Sequence, residues 1–379
     1  MYPLPMTLPY IKITPKGVAF FAFVVSLLAS SSLLTILRLS SARKTPPVRE
    51  NHQNRFLLET PNGQSRDYVN VLLLGSGGSG HSGGTLSDTI VVANINYIKK
   101  TVNYISVPRD LWTKIPVSSD KQELHKINVA YAIGQDDTHY PLKEPAYKGE
   151  HGGGNMAKKT VSSVIGMPID FYVSVDFQGF TQAIDTLGGL NVNVPVAFED
   201  RFYPIKGLEN ELCGKSPEEM QRIHAIYSGF ELEKQFECRY ETLRFLAGPN
   251  KMDGETALKF VRSRHSTEHG GDFARSMRQS AVITAAVNKL TSLGAVNNIP
   301  EFFNKMYVSV KTDIKLDDVL DFVEAYGDPT NYKVRSFGLT TDNTLINKTS
   351  HDGQYILTPK SGDFNWAETA DFIAKSIEY

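Results

Sequence analysis

The sequence predicts a layered α/β domain built on a mixed sheet, and three observations carry that expectation. Residues 69–75 (VNVLLLG) form a short, near-continuous apolar run of the kind found in a strand buried on both faces. Residues 89–96 and 102–107 read as two more strands, and the short connection 97–100 suits an antiparallel hairpin. Helical segments at 157–165 and 178–187 each stop at glycine, at Gly166 ahead of Pro168 and at Gly188-Gly189.

Composition narrows the function classes. The chain has 379 residues, enough for one large domain or two small ones. Hydrophobic residues at 41% and charged residues at 21% exclude a disordered chain and a polytopic membrane protein. With 40 basic and 41 acidic side chains, the net charge of -1 gives no electrostatic footprint for nucleic acid, so no nucleic-acid partner is expected.

Taken in order, residues 1–16 form a short N-terminus expected to be cytoplasmic. Residues 17–39 (GVAFFAFVVSLLASSSLLTILRL) follow, and 17–37 carry no charge. At about 1.5 Å per residue that run spans about 30 Å, the thickness of a bilayer core. A transmembrane anchor is the favoured reading; a cleaved signal peptide ending near Ala29 and a buried soluble helix are the alternatives. The flanking lysines and arginines do not settle the orientation. Residues 40–67 are polar and Pro-containing, a stalk ahead of a folded domain at 68–379. The location expected from such an anchor is the cell membrane, as a single-pass chain, with the side taken by the large domain left open by the flanks.

The only cysteines are Cys213 and Cys238. Paired, they close a loop of about 25 residues, worth about 3 kcal/mol in the chain-entropy model. Unpaired, they are two unrelated buried thiols. Strands at 171–175 and 190–194 come before them, and two helices, 253–262 capped by Asp253 and 272–290, come after.

Four places could carry chemistry. The Gly-rich loop 75–84 lacks the Lys-Ser/Thr ending of a P-loop and is either a flexible connection or an anion-binding turn. Asp88 stands at the entrance of a strand, where it can cap backbone or bind a metal. Arg109-Asp110 closes another strand and reads locally as a turn feature. Residues 259–279 (KFVRSRHSTEHGGDFARSMRQ) hold five basic residues against two acidic ones. On a helical wheel Asp272, Arg275 and Gln279 share a stripe with Val282, Ile283, Ala286 and Leu290, the apolar side. Burying such charges without partners is costly, so the stripe reads as an anion site at a helix N-terminus or as a buried Arg–Asp lattice. Guanidinium forks suit phosphate oxygens, and a carboxylate joins them through Mg²⁺. There is no Cys/His cluster for zinc and no Gly-x-Ser-x-Gly elbow for a hydrolase triad.

At these residues the sequence resembles the LytR–CpsA–Psr family of cell-wall proteins. The matching pieces are VNVLLLG at 69–75, SDTIVVANIN at 87–96, ISVPRDLW at 105–112, HKINVAYAIG at 125–134, 169–195, and MDGETALKFVRSRHSTEHGGDFARSMRQ at 252–279. The resemblance implies a three-layer α/β/α domain with an apolar pocket for a polyprenyl chain, anchored at its N-terminus and facing outward. It implies an enzyme, a phosphotransferase that moves a glycopolymer from a polyprenyl-pyrophosphate carrier to peptidoglycan, forming a phosphodiester. The implied partners are that lipid-linked glycan, peptidoglycan and membrane lipid, and the implied cofactor is Mg²⁺, with Mn²⁺ as a substitute. Carried over residue by residue, Asp88 and Asp272 match metal-linked positions, and Arg109, Arg262 and Arg264 join them as catalytic. Lys126, Arg275 and Gln279 match substrate-binding positions. The chain departs from the pattern at Leu86, where relatives often have Arg, and in the loop after the first strand, where many have Asp; His81 is a partial substitute. The stretch 197–251, with both cysteines, matches little of the family pattern. A pyrophosphate hydrolase and a non-catalytic lipid-binding regulator are the competing functions.

Overall fold

The computed structural model describes residues 66–78, 83–266, 270–292, 310–315 and 332–378. In chain order the elements are β1 (Tyr68–Ser76), β2 (Ser87–Asn96), β3 (Thr101–Ser106), β4 (Trp112–Pro116), β5 (Gln122–Lys126), α1 (Ala130–Gln135), α2 (Gly152–Ile165), β6 (Phe171–Asp176) and α3 (Phe177–Thr186). Then come β7 (Leu190–Val194), β8 (Phe198–Pro204), α4 (Pro217–Ile226), α5 (Gly229–Glu233), β9 (Tyr240–Phe245), β10 (Gly248–Met252), α6 (Gly254–Arg262) and α7 (Gly271–Ser292). The chain continues with β11 (Val310–Thr312), β12 (Lys333–Gly338), β13 (Leu345–Thr349), β14 (Tyr355–Pro359) and α8 (Ala367–Glu378). Two compact units result, one within Met1–Ala183 and Val287–Tyr379, the other Ile184–Ala286.

The first unit holds a six-stranded sheet in the order β11-β6-β1-β2-β3-β12. β1–β2, β2–β3 and β6–β11 pair antiparallel, while β1–β6 and β3–β12 pair parallel. The mixed sheet expected from the sequence is therefore present. The β2–β3 hairpin turns where Asn96 Oδ1 accepts the Ile98 and Lys99 amides at 3.1 and 2.7 Å. On one face Leu72, Leu74, Ile90, Val92 and Ile105 meet Ala157, Val161, Val164 and Ile165 of α2 and Ile373 of α8. Removing this apolar surface from water is the main drive for the layer.

Helix α2 begins at Gly152, five residues before the 157–165 segment expected. Glycines read as loop formers, but here crowding explains them. A Cβ at Gly154 would fall 2.1 Å from the ring of Tyr172. Gly166 ends the helix at φ 72° as anticipated, a left-handed position open to glycine.

In the second unit, β7 pairs with β10 and β8 with β9, all antiparallel. Phe198, Phe245 and Phe260 pack together with ring centroids 5.0–5.8 Å apart. Asp253 caps α6 by accepting the Thr256 amide at 2.8 Å, as the sequence predicts. Cys213 and Cys238 are joined in a disulfide, which decides between the two readings of the thiols. Residues 197–251, where the sequence offered little beyond the two cysteines, contain β8, α4, α5 and β9 and most of β10.

The expected single-pass membrane location is corrected here. Among the described residues no helix is long and apolar enough to cross a membrane. The segments 1–16, 17–39 and 40–65, on which that expectation rested, lie outside the described residues, and so does His81.

Candidate functional site

In the first unit, β1 and β2 slip register at their ends. Gly75 faces Thr89 and Ser76 faces Ser87, leaving Asp88 as the extra residue of a bulge. A bulge re-aims the side chain it carries. The Asp88 carboxylate accepts a hydrogen bond from Arg109 Nη1, 21 residues further on. Arg109 Nε also lies 3.6 Å from Asp110 Oδ2. Asp110 Oδ1 accepts from Lys126 Nζ at 2.8 Å. The β4–β5 register puts Lys126 opposite Trp112, beside Asp110. Leu111, fully buried, pins the turn, and its carbonyl accepts the Ile127 amide at 2.7 Å. Arg109 and Asp110 do form a turn, as the local reading has it, and the side chains of that turn are drawn into a cluster. The structure builds a chain of alternating charge, Asp88–Arg109–Asp110–Lys126.

The four side chains are 22–37% exposed. Ion pairs so placed contribute about 0–1 kcal/mol each, so stability does not explain them. The donor set suits a hard ion, because Asp88 and Asp110 offer oxygen only. Among the described residues no group of three or more His, Cys, Asp or Glu side chains forms an all-protein metal cage. A Mg²⁺ that keeps waters and takes phosphate oxygens needs only one or two carboxylates, and Asp88 fits that role.

In the second unit the Arg262–His265 segment is held by its backbone. Asp200 on β8 is 1% exposed. Its Oδ2 accepts from Ser263 Oγ at 2.6 Å and from the amides of Arg264 and His265, both at 3.1 Å. Its Oδ1 accepts the Phe202 amide at 2.9 Å. From α7, Arg278 Nη2 donates to the Ser263 carbonyl at 2.5 Å. Burial pushes the Arg278 guanidinium down to about 10, against the pull of Asp200, so it stays charged at neutral pH. Arg262 Nη1 donates to the Tyr203 hydroxyl at 3.3 Å. Arg264 itself is exposed.

The α7 stripe is corrected by one step. The sequence placed Arg275 and Gln279 on the core side with Val282. Among the described residues of α7 the buried positions are instead Ala274, Arg278, Val282 and Ala285. Arg275 and Gln279 flank them, half-buried. Arg278 is thus the arginine that α7 buries, and its partners pay for that burial. The side chain of Asp272 lies outside the described residues.

Of the residues singled out in the sequence, the structure joins Asp88, Arg109 and Lys126 through Asp110, and joins Arg264 to Arg278 through Ser263 and Asp200. It was Asp200, Ser263, Tyr203 and Arg278 that sequence reasoning left without a role. Asp200 had a signal: alternation from the buried Phe198 puts it on the inward face of β8.

A mixed-sheet α/β unit with a cluster of alternating charge at one strand end is the class of protein that fold and site define, and comparison with known proteins makes it specific. The chain belongs to the LytR_cpsA_psr family, whose model matches residues 33–365. It is similar to the polyisoprenyl-teichoic acid–peptidoglycan teichoic acid transferase TagU of Enterococcus faecalis, at 27% identity over 73% of each chain. The corresponding TagU of Bacillus licheniformis is 26% identical over 75% of this chain and 72% of its own. Among solved structures, TagV of B. subtilis matches with a TM-score of 0.53 at 22% identity, covering 83% of this chain and 99% of that one. TagT bound to LI-WTA matches at a TM-score of 0.50 and 21% identity, covering 89% of this chain and all of the other. At those identities the structures speak for the fold alone.

Proposed function

We propose that this protein transfers a glycopolymer from a polyprenyl diphosphate carrier to peptidoglycan. A hydroxyl of the peptidoglycan attacks the glycan-bearing phosphorus. A new P–O bond forms, the bond to the bridging oxygen breaks, and polyprenyl phosphate leaves. The product is a phosphodiester. Similarity to polyisoprenyl-teichoic acid–peptidoglycan teichoic acid transferases supports transfer to peptidoglycan, and the observation that carries the reading here is the Asp88–Arg109–Asp110–Lys126 chain. A three-layer arrangement of the first unit belongs to the same reading.

Asp88 would hold a Mg²⁺ that, when bound, neutralises diphosphate charge; for Asp272, in the second unit, a metal-linked role is proposed on the resemblance alone. Arg109 would leave Asp88 for a phosphate oxygen, a trade of one charge-assisted hydrogen bond for another. There it stabilises the charge that develops on the leaving phosphate. Asp110 and Lys126 keep the Arg109 turn in place, and Lys126 offers a further cation to the diphosphate. In the second unit Arg262, Arg264, Arg275 and Gln279 are the proposed phosphate contacts.

The test is direct. The purified full chain is given a short-chain polyprenyl-diphosphate-linked sugar, peptidoglycan fragments and Mg²⁺, and the products are read by mass spectrometry. A phosphodiester-linked product that disappears in Asp88→Asn and Arg262→Ala is the expected result. Sugar phosphate released without acceptor would favour hydrolysis, and binding without turnover over several acceptors would favour a regulator. Chelation should abolish transfer and added Mg²⁺ restore it.

A further inference from the structure

The proposed reaction uses neither the disulfide nor His265. The disulfide belongs to an arm of the second unit that runs from the end of β8 to the start of β9, and His265 to the arginine segment that follows α6. The arm is closed by Cys213–Cys238 and carries α4 and α5. Helix α5 has five residues, too few to hold its shape alone. It is fastened by two side chains to a single residue of the arginine segment. The Phe230 ring stacks on the His265 imidazole with centroids 4.1 Å apart and planes 4° from parallel. The Glu233 carboxylate lies 3.3 Å from His265 Nε2.

Behind the stack, Phe202 of β8 meets Phe230 edge-on at 5.1 Å, and Lys234 Nζ sits 4.8 Å from the Phe230 ring centroid. The arm is anchored again just beyond α5. Phe236, 1% exposed, lies under the Arg239 guanidinium at 3.9 Å, on either side of Cys238. His265 is therefore gripped twice, by the arm at its ring and by Asp200 at its amide. Arg264, whose amide shares that same Asp200 oxygen, is the residue just before it.

We propose that the disulfide-closed arm is a positioning element for the arginine segment. Phe230 and Glu233 hold His265, and His265 sets the backbone from which Arg262 and Arg264 reach phosphate. The three are positioning residues that touch no reacting atom. The disulfide keeps α5 in place, so reducing it loosens the same segment. The inference rests on the phosphate role proposed for Arg262 and Arg264, but half of its test does not.

The experiment compares the full chain with Phe230→Ala, Phe230→Tyr and the double variant Cys213→Ser/Cys238→Ser. The first readout is amide hydrogen exchange over residues 262–266. The second is binding of farnesyl diphosphate with Mg²⁺. A stacked pair lost from a partly buried site should speed exchange at Arg264 and His265 by about three- to tenfold. Affinity for the probe should fall by a similar factor, and Phe230→Tyr, which keeps the stack, should restore both. In the transfer reaction the loss should appear in KM more than in kcat.

Unchanged exchange in Phe230→Ala overturns the proposal. So does faster exchange with unchanged probe affinity. If the wild type itself does not bind farnesyl diphosphate, the phosphate reading of the segment fails, and exchange still decides whether the arm holds it. Should the double cysteine variant not fold, Phe230→Ala carries the decision.

Discussion

Arg109 and Arg264 lie in different units and are fixed at opposite ends. In the first unit the guanidinium of Arg109 is fixed, bound to Asp88 and drawn toward Asp110, in a cluster about a third exposed. In the second unit it is the peptide of Arg264 that is fixed, by an Asp200 almost wholly out of water. The first arrangement is exchangeable. Its ion pairs are replaceable by phosphate oxygens at little cost, because water already screens them. The second is not, since three donors converge on one buried oxygen that solvent does not reach. One unit keeps an arginine ready to change partners; the other keeps a segment from changing shape.

The largest effect should come from breaking the second arrangement. Asp200→Ala strands the Ser263 hydroxyl and the amides of Phe202, Arg264 and His265 without an acceptor, while Arg278 loses its nearby countercharge. The expected destabilisation is about 3 kcal/mol in urea unfolding. Asp200→Asn keeps one acceptor oxygen but turns an amine toward donors, so it should recover only part of that. A loss below about 1 kcal/mol in Asp200→Ala would erase the contrast between the two units.

Arg109→Ala should give the opposite profile. Stability should change by less than about 1 kcal/mol, because the pairs it removes are partly exposed. The rate of transfer should fall by about a hundredfold if Arg109 stabilises the leaving phosphate. An unfolding midpoint that dropped as far as that of Asp200→Ala would make Arg109 a structural residue and remove it from the mechanism.

These two sites were not equally legible in the sequence. β1 announced itself as an apolar run, and the 97–100 turn by its brevity, because burial on both faces and a short connection leave few alternatives. Asp88 and Arg109 were legible as single residues at strand ends. Their pairing was not, because it depends on a one-residue bulge that no local pattern marks. Helix α2 was read five residues short, because the sequence signal for glycine is conformational freedom while its use at Gly154 is lack of bulk against Tyr172. In α7 the period was legible and the phase was not: Arg278, rather than Arg275, faces the core because Ser263 and Asp200 wait for it from elsewhere in the chain. The arm of 205–240 stayed silent for a similar reason. Its role depends on one ring meeting His265, a contact 35 residues away in sequence.

The smallest effect sharpens the comparison by testing whether the second unit depends on backbone order more generally. Asp253 caps α6, the helix that ends in Arg262. The Thr256 hydroxyl, and after it the Thr256 amide, hold the Asp253 carboxyl below the usual carboxylate range. A carboxylate whose folded pKa is depressed adds stability that is fully present above its unfolded value and is lost as pH falls through the folded one. Asp253→Ala should therefore cost about 1 kcal/mol at pH 7. The gap to wild type should shrink as the pH drops below about 3.9, the unperturbed aspartate value. Asp253→Asn, which caps without ionising, should show no such convergence with Asp253→Ala. Arg262 lies about two and a half turns from the cap, and fraying at a helix end fades within the first turn. Affinity for a diphosphate probe should then stay within about twofold of wild type in Asp253→Ala, whereas Asp200→Ala, which acts on the segment directly, should lose it. Equal losses of affinity in the two variants would mean that the arginines depend on the unit as a whole and not on the oxygen of Asp200.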